Sequence, residues 1–138
     1  MNETLRRYLL DTNILADLIK NPSGRVQQRI VEVGEENICT SIIVACELRF
    51  GARKKNAPML TARIERLLQT VEVLPLDGDV DRTYAEVRAM LEGIGRPSGA
   101  NDMLIGAHAL NEDCILVTNN ESEFARITGL TVENWLAE

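Results

Sequence analysis

Three acids and one polar turn stand in apolar company, where carboxylates are costly. Asp11 closes the apolar run of "YLLDTNIL", Glu47 lies inside "VACELRF", Asp102 opens "NDMLIGAHAL", and "TNNESEF" sets Asn119, Asn120 and Glu123 behind the apolar "CILV". An ionised carboxylate moved out of water loses solvation that apolar neighbours do not restore. Each acid taken singly has an ordinary reading. Asp11 can cap the helix that follows it, Asp102 can gain about 0.3–1 kcal/mol from a helix N-terminus, and Glu47 can pair with Arg49 or Arg53 on its own helix. Together they have another. Like charges about 4 Å apart repel by about 4 kcal/mol at an effective dielectric of 20, so a converged cluster either takes up protons or recruits a cation. Oxygen ligands favour Mg²⁺ or Mn²⁺. The single His108 and the dispersed Cys39, Cys46 and Cys114 form no zinc spacing, and there is no EF-hand loop.

Elements that alternate between the periods of strand and helix must bring these acids together. "RYLL" reads as a buried strand and "ILADLIK" as a helix that stops at "NPSG"; "RVQQRIVEVG" is a helix ended by Gly34 and "NICT" a short strand. Ser41 caps the helix "SIIVACELRFGARKK", whose apolar residues around Glu47, including Cys46 and Phe50, predict a largely buried segment. Pro58 opens a helix with Leu60, Ile64, Leu67 and Leu68 on one stripe, and "VEVLPL" is β-type. Val80, Tyr84, Val87 and Leu91 mark a further helix before the loop "GIGRPSGA"; then come the helix "NDMLIGAHAL", the strand "CILVT", the turn "NNESEF" and a β-like piece around "LTVENW". This alternation predicts an α/β domain with a parallel sheet covered on both faces. Ligands of such sheets collect beyond the carboxyl ends of the strands, where Asp11 and the turn after Thr118 both fall.

Composition narrows the class. A chain of 138 residues fits a single domain, 1–138, that buries about two thirds of its unfolded surface. No apolar run approaches the roughly 20 residues of a membrane span, and "MNETLRRYLL" is too short for a secretory leader, so a cytoplasmic protein is expected. Three cysteines without a framework predict buried free thiols. The net charge of −6 argues against a surface that clamps nucleic acid all over, yet between Arg49 and Arg66 the only acid is Glu65. Arg49, Arg53, Lys54 and Lys55 are therefore candidate phosphate contacts, or a solvated helix face.

"LLDTNIL", "SIIVACELRFG" with its glutamate, "GANDMLIGAHAL" and "ILVTNNESEF" followed by "GLTVENW" resemble, in this order and over nearly the whole chain, the motifs of PIN-domain ribonucleases of the VapC toxin group. The resemblance implies a three-layer α/β/α domain with a central, mainly parallel sheet. It also implies a Mg²⁺- or Mn²⁺-dependent endoribonuclease, a homodimer, and inhibition by a small VapB-like antitoxin. Carried over by motif, Asp11, Glu47 and Asp102 match the catalytic acids, with Asp11 and Asp102 as the direct metal ligands. Asn120 stands where many PIN domains have a fourth acid, and Glu123 lies one turn further on, so either one is a candidate fourth ligand.

The expected chemistry is in-line attack of water on an RNA phosphodiester, leaving 5′-phosphate and 3′-hydroxyl ends. Thr12 and Asn13 are expected to orient the first carboxylate or to cap the next helix, and Ser41 to cap its helix or to support the metal. His108 reads as a packed core residue. The group's substrates point to transfer RNA, with the anticodon region of initiator transfer RNA as the specific candidate. Two other readings use the same residues: a non-catalytic binding module whose acids only cap helices, and a metal-dependent phosphatase or DNA nuclease.

Overall fold

The computed structural model describes residues 6–137. Residues 1–5, which open "MNETLRRYLL", and residue 138 belong to the single-domain expectation but lie outside the described residues. Five strands, β1 (Tyr8–Leu10), β2 (Ile38–Ser41), β3 (Glu72–Leu74), β4 (Ile115–Val117) and β5 (Val132–Glu133), form one sheet in the order β3-β2-β1-β4-β5. Every neighbouring pair is parallel. The strands are short and apolar because the central ones are covered on both sides: Leu9, Leu10, Cys39, Leu116 and Val117 have no exposed surface.

Among the described residues, seven α-helices connect and cover the strands: α1 (Thr12–Lys20), α2 (Arg25–Val33), α3 (Ile42–Lys55), α4 (Pro58–Thr70), α5 (Val80–Gly93), α6 (Ala100–Asn111) and α7 (Glu121–Phe124). Helices α1 to α4 pack among themselves and α5 packs on α6, which gives the α/β/α layering. The expected punctuation is in place. Gly34 ends α2 at φ 96, and Pro58 is the first residue of α4. The turn "NNESEF" holds more order than a turn, since α7 winds one helical turn and buries Phe124.

Strand order decides where a site can form. The chain runs outward from β1 to β2 and β3, then crosses back to β4 on the other side of β1. The loops after β1 and β4 therefore diverge at a topological switch point, which opens a crevice at the carboxyl end of the sheet. Asp11 and Thr118 are the residues that leave those two strands.

Two expectations about α3 are corrected. Cys46 and Phe50 are exposed, the latter by 67%, because the helical period turns only Val44, Ala45, Leu48 and Ala52 into the core. Of the three thiols, Cys39 and Cys114 are buried, with sulfurs 3.9 Å apart, and Cys46 is not.

Candidate active site

Asp11 has the double role that its sequence context left open. It is the N-cap of α1, with Oδ1 accepting from the Thr12 backbone N–H at 2.8 Å, while Oδ2 accepts from the Thr118 hydroxyl at 2.8 Å. Its own N–H donates to the Val117 carbonyl at 2.9 Å, so the last residue of β4 and the residue after it fix Asp11 from two directions. Burial pushes the Asp11 carboxyl up; hydrogen bonds from Thr12 and Thr118 oppose this, and the Glu47 charge adds to it.

Glu47 sits half-buried on α3 and makes neither of the ion pairs that its neighbours offered. Arg49 is committed to Glu65 through two bonds of 2.8 and 2.9 Å. Glu47 instead accepts from the Thr12 hydroxyl at Oε1 and from Asn101 Nδ2 at 3.3 Å at Oε2. Thr12 thus serves two acids, the first through its backbone and the second through its side chain. Asn13 ties the start of α1 to the turn after β4, its amide donating to Asn119 Oδ1 at 3.1 Å.

Asp102 lies in the first turn of α6, and its carboxyl is pushed up to about 6. Burial is the main cause, followed by a hydrogen bond with Glu123 and by the charges of Glu123, Asp11 and Glu47. Burial also pushes Glu123 up, but hydrogen bonds with Asn120, Asp102 and Ser98 and the Arg126 charge outweigh it and hold that carboxyl below its ordinary value. Asn120 donates from Nδ2 to Glu123 Oε2 at 3.0 Å, and from its backbone to the Thr118 hydroxyl at 3.1 Å.

Thr118, Asn119 and Glu123 lie outside the lining of one cleft of about 480 Å³, which is bounded by Asp11, Thr12, Asn13, Glu47, Phe50, Asn101, Asp102 and Asn120. No Lys, Arg or His is among them, so three carboxylates face the cleft without a cation from the wall. Among the described residues, no set of three His, Cys, Asp or Glu side chains closes around a single metal position. The donor set nevertheless fits a hard cation that keeps several waters and needs only one or two direct carboxylates. Two other clefts, one between α1, α2 and α4 and one between α3 and α4, do not bring two carboxylates together.

Ser41 is fully buried and does not line the cleft. Its Oγ accepts from the Ile43 N–H at 3.0 Å as the cap of α3 and lies 2.8 Å from His108 Nδ1 on α6. His108 is buried as its sequence context predicts; burial pushes its imidazole down, and Nε2 is without a hydrogen-bond partner among the described residues. The Ser41–His108 contact joins the helices that carry Glu47 and Asp102. Ser41→Ala removes a cap and strands His108 Nδ1, so it should lower the unfolding free energy by about 2–3 kcal/mol in urea titration. A loss below about 0.5 kcal/mol would show that the contact does not hold the two helices.

Besides Phe50, which was expected to be buried, Thr118 and Asn101 are the candidate-site residues that sequence reasoning missed. Each had a signal: Thr118 is the polar residue that ends a buried strand, and Asn101 is the immediate neighbour of Asp102 in "GANDML".

Comparison with known proteins gives this geometry a family. A model of the PIN domain matches residues 8–130. The tRNA(fMet)-specific endonuclease VapC of Shigella flexneri is 36% identical over 130 residues, 94% of this chain and 98% of that protein. Ribonuclease VapC2 of Rickettsia felis is 36% identical over 93% of this chain and 97% of its own length. Among solved structures, DNA-bound VapBC from Salmonella typhimurium superposes with a TM-score of 0.88 at 34% identity, covering 95% of this chain and 99% of that one. VapBC2 from Rickettsia felis, bound to a fragment of its promoter, gives 0.85 at 35% identity over 93% and 98% of the two chains. A cleft lined by Asp11, Glu47 and Asp102 at the switch point of a parallel sheet, and relatives matched from end to end, place this chain in the PIN-domain family, within its VapC ribonuclease group.

Proposed function

We propose that this chain is the toxin of a toxin–antitoxin pair, an endoribonuclease that cuts RNA at the acid cleft and is neutralised by a VapB-like antitoxin. The observation that carries the reading is the set of three carboxylates on one cleft with no basic side chain in its wall. Asp11 and Asp102 would hold Mg²⁺, or Mn²⁺ in its place, with Glu47 beside them and Asn120 or Glu123 as the fourth oxygen. The ion, when bound, polarises the scissile phosphodiester and lowers the pKa of an attacking water.

The chain's own residues prepare that chemistry. Thr118 and the Thr12 N–H fix both Asp11 oxygens, so that carboxylate meets a cation without reorganising. The Thr12 hydroxyl and Asn101 hold Glu47 facing the same cleft. Arg53, Lys54 and Lys55 are exposed at the end of α3, where the helix dipole favours cations, and supply phosphate contacts outside the acid centre. Arg49, held by Glu65, is the weakest of the four candidates.

Transfer RNA is the substrate we favour, and the initiator species in particular, because the Shigella relative is named for it. The VapBC complexes among the structural neighbours support an antitoxin partner. A homodimer and a cytoplasmic setting complete the proposal. Among the described residues no helix is long and apolar enough to cross a membrane.

The test is to incubate the purified, antitoxin-free chain with total transfer RNA in Mg²⁺, Mn²⁺ or chelator and to map the ends. Discrete, metal-dependent cuts with 5′-phosphate and 3′-hydroxyl termini are expected. Cuts that persist in chelator and leave 2′,3′-cyclic phosphates would overturn the metal reading. A folded chain that cuts no RNA would point to a binding module.

A further inference from the structure

Phe50 is the one exposed aromatic side chain among the described residues. Phe124 and Trp135 are buried, Tyr8 and Tyr84 are half-buried, and Phe50 keeps 67% of its surface in solvent while lining the acid cleft. Helical geometry puts Glu47, Phe50 and Lys54 on one stripe of α3, at spacings i, i+3 and i+7. At about 1.5 Å per residue, the ring stands about 4.5 Å along the axis from the acid and the exposed lysine about 10 Å from it. Acid, aromatic ring and cation thus follow one another along a single face that leads out of the cleft.

Gly51 is the second observation. It lies inside α3, where glycine costs about 1 kcal/mol relative to alanine, yet a Cβ built there would meet nothing within 4 Å. Among the described residues, no packing requires its small size. Gly51 lies four residues after Glu47, so its absent side chain leaves a bare strip of helix surface on the Glu47 side of the stripe.

We propose that Phe50 is a stacking platform for a nucleobase of the RNA strand next to the scissile phosphodiester, that Gly51 leaves the room for that base, and that the pair selects unpaired nucleotides. The proposal rests on the nuclease reading given above. A phosphate at the carboxylate end places the adjoining base over the ring and the following phosphate toward Lys54. Bases in a duplex are stacked on one another and cannot reach such a ring, whereas bases of loops and single strands can. The polar cleft wall and the exposed lysine favour nucleic acid over an apolar protein surface as the occupant.

The test is binding of a labelled single-stranded oligoribonucleotide, alone or annealed to its complement, with Ca²⁺ in place of Mg²⁺. Phe50→Ala and Phe50→Leu should weaken single-strand binding by roughly 5- to 150-fold and leave duplex binding unmoved. Phe50→Trp should restore most of the affinity, and the oligonucleotide should quench its new indole emission. Gly51→Leu, which keeps the ring but fills the strip, should weaken single-strand binding as well. Equal affinities for the wild type and Phe50→Ala, or a single strand that fails to bind, would overturn the platform. So would loss of self-association by Phe50→Ala in sedimentation with RNA affinity intact, which would assign the face to a second copy. Binding is read without cleavage, so RNA that is bound at Phe50 but never cut in Mg²⁺ would sink the nuclease reading and leave the platform standing.

Discussion

Asp11→Asn is expected to lower RNA cleavage by at least about a hundredfold while leaving the chain as stable as the wild type, or more so. Substitution of groups that only support a metal ligand commonly costs 10- to 100-fold, and Asp11 is placed here as a ligand itself. The stability half of the prediction follows from the same surroundings. Burial outweighs the hydrogen bonds at Asp11 and holds its carboxyl above the ordinary value, so the fold disfavours the ionised form. A carboxyl raised by folding contributes a cost that grows as pH rises past its unfolded value and is complete once pH exceeds its folded value. Asparagine removes that cost. It also remains a good N-cap, able to accept from Thr12 and to donate to Thr118. Cleavage of total transfer RNA and thermal unfolding, measured on one preparation, decide the matter. Lost activity with an unchanged or raised midpoint confirms the role, whereas loss of both would reduce Asp11 to a cap.

Much of this site was legible because local chemistry and the fold agree. Gly34, Pro58 and Ser41 punctuate the chain at the places the structure uses, and Asp11, Glu47 and Asp102 stood out by their apolar company. What the sequence could not show is set by distance along the chain. The Thr118–Asp11 bond spans 107 residues and exists because β4 lies beside β1, a strand order that no local pattern encodes. The Thr12 hydroxyl turns to Glu47, 35 residues away, through the packing of α1 on α3. The burial expected for Phe50 and Cys46 failed for a simpler reason. An apolar composition says that a segment has a buried face, but only the contacts of its helix say which residues occupy it.

Glu123 and Asp102 share a hydrogen bond and set each other's charge, which makes metal binding at Asp102 sensitive to pH. With no metal bound, Asp102 loses its proton only at about pH 6, against an ordinary value of 3.8. The sign for the fold follows directly. The metal-free chain is favoured by this group at low pH and loses that contribution as pH rises from 3.8 to about 6. Metal affinity runs the other way, since the cation and the proton compete for one carboxylate. Affinity for Mg²⁺ should therefore be level above about pH 7 and fall about tenfold for each unit below about 6. Calorimetric titration between pH 8 and 5 reads both the affinity and the proton released on binding. Glu123→Gln removes the neighbouring charge and should move the falling limb to lower pH, while Asp102→Asn should abolish the limb and weaken binding throughout. An affinity that stays flat to pH 5 in the native chain would take Asp102 out of the ligand set and leave its raised carboxyl as a consequence of crowding alone.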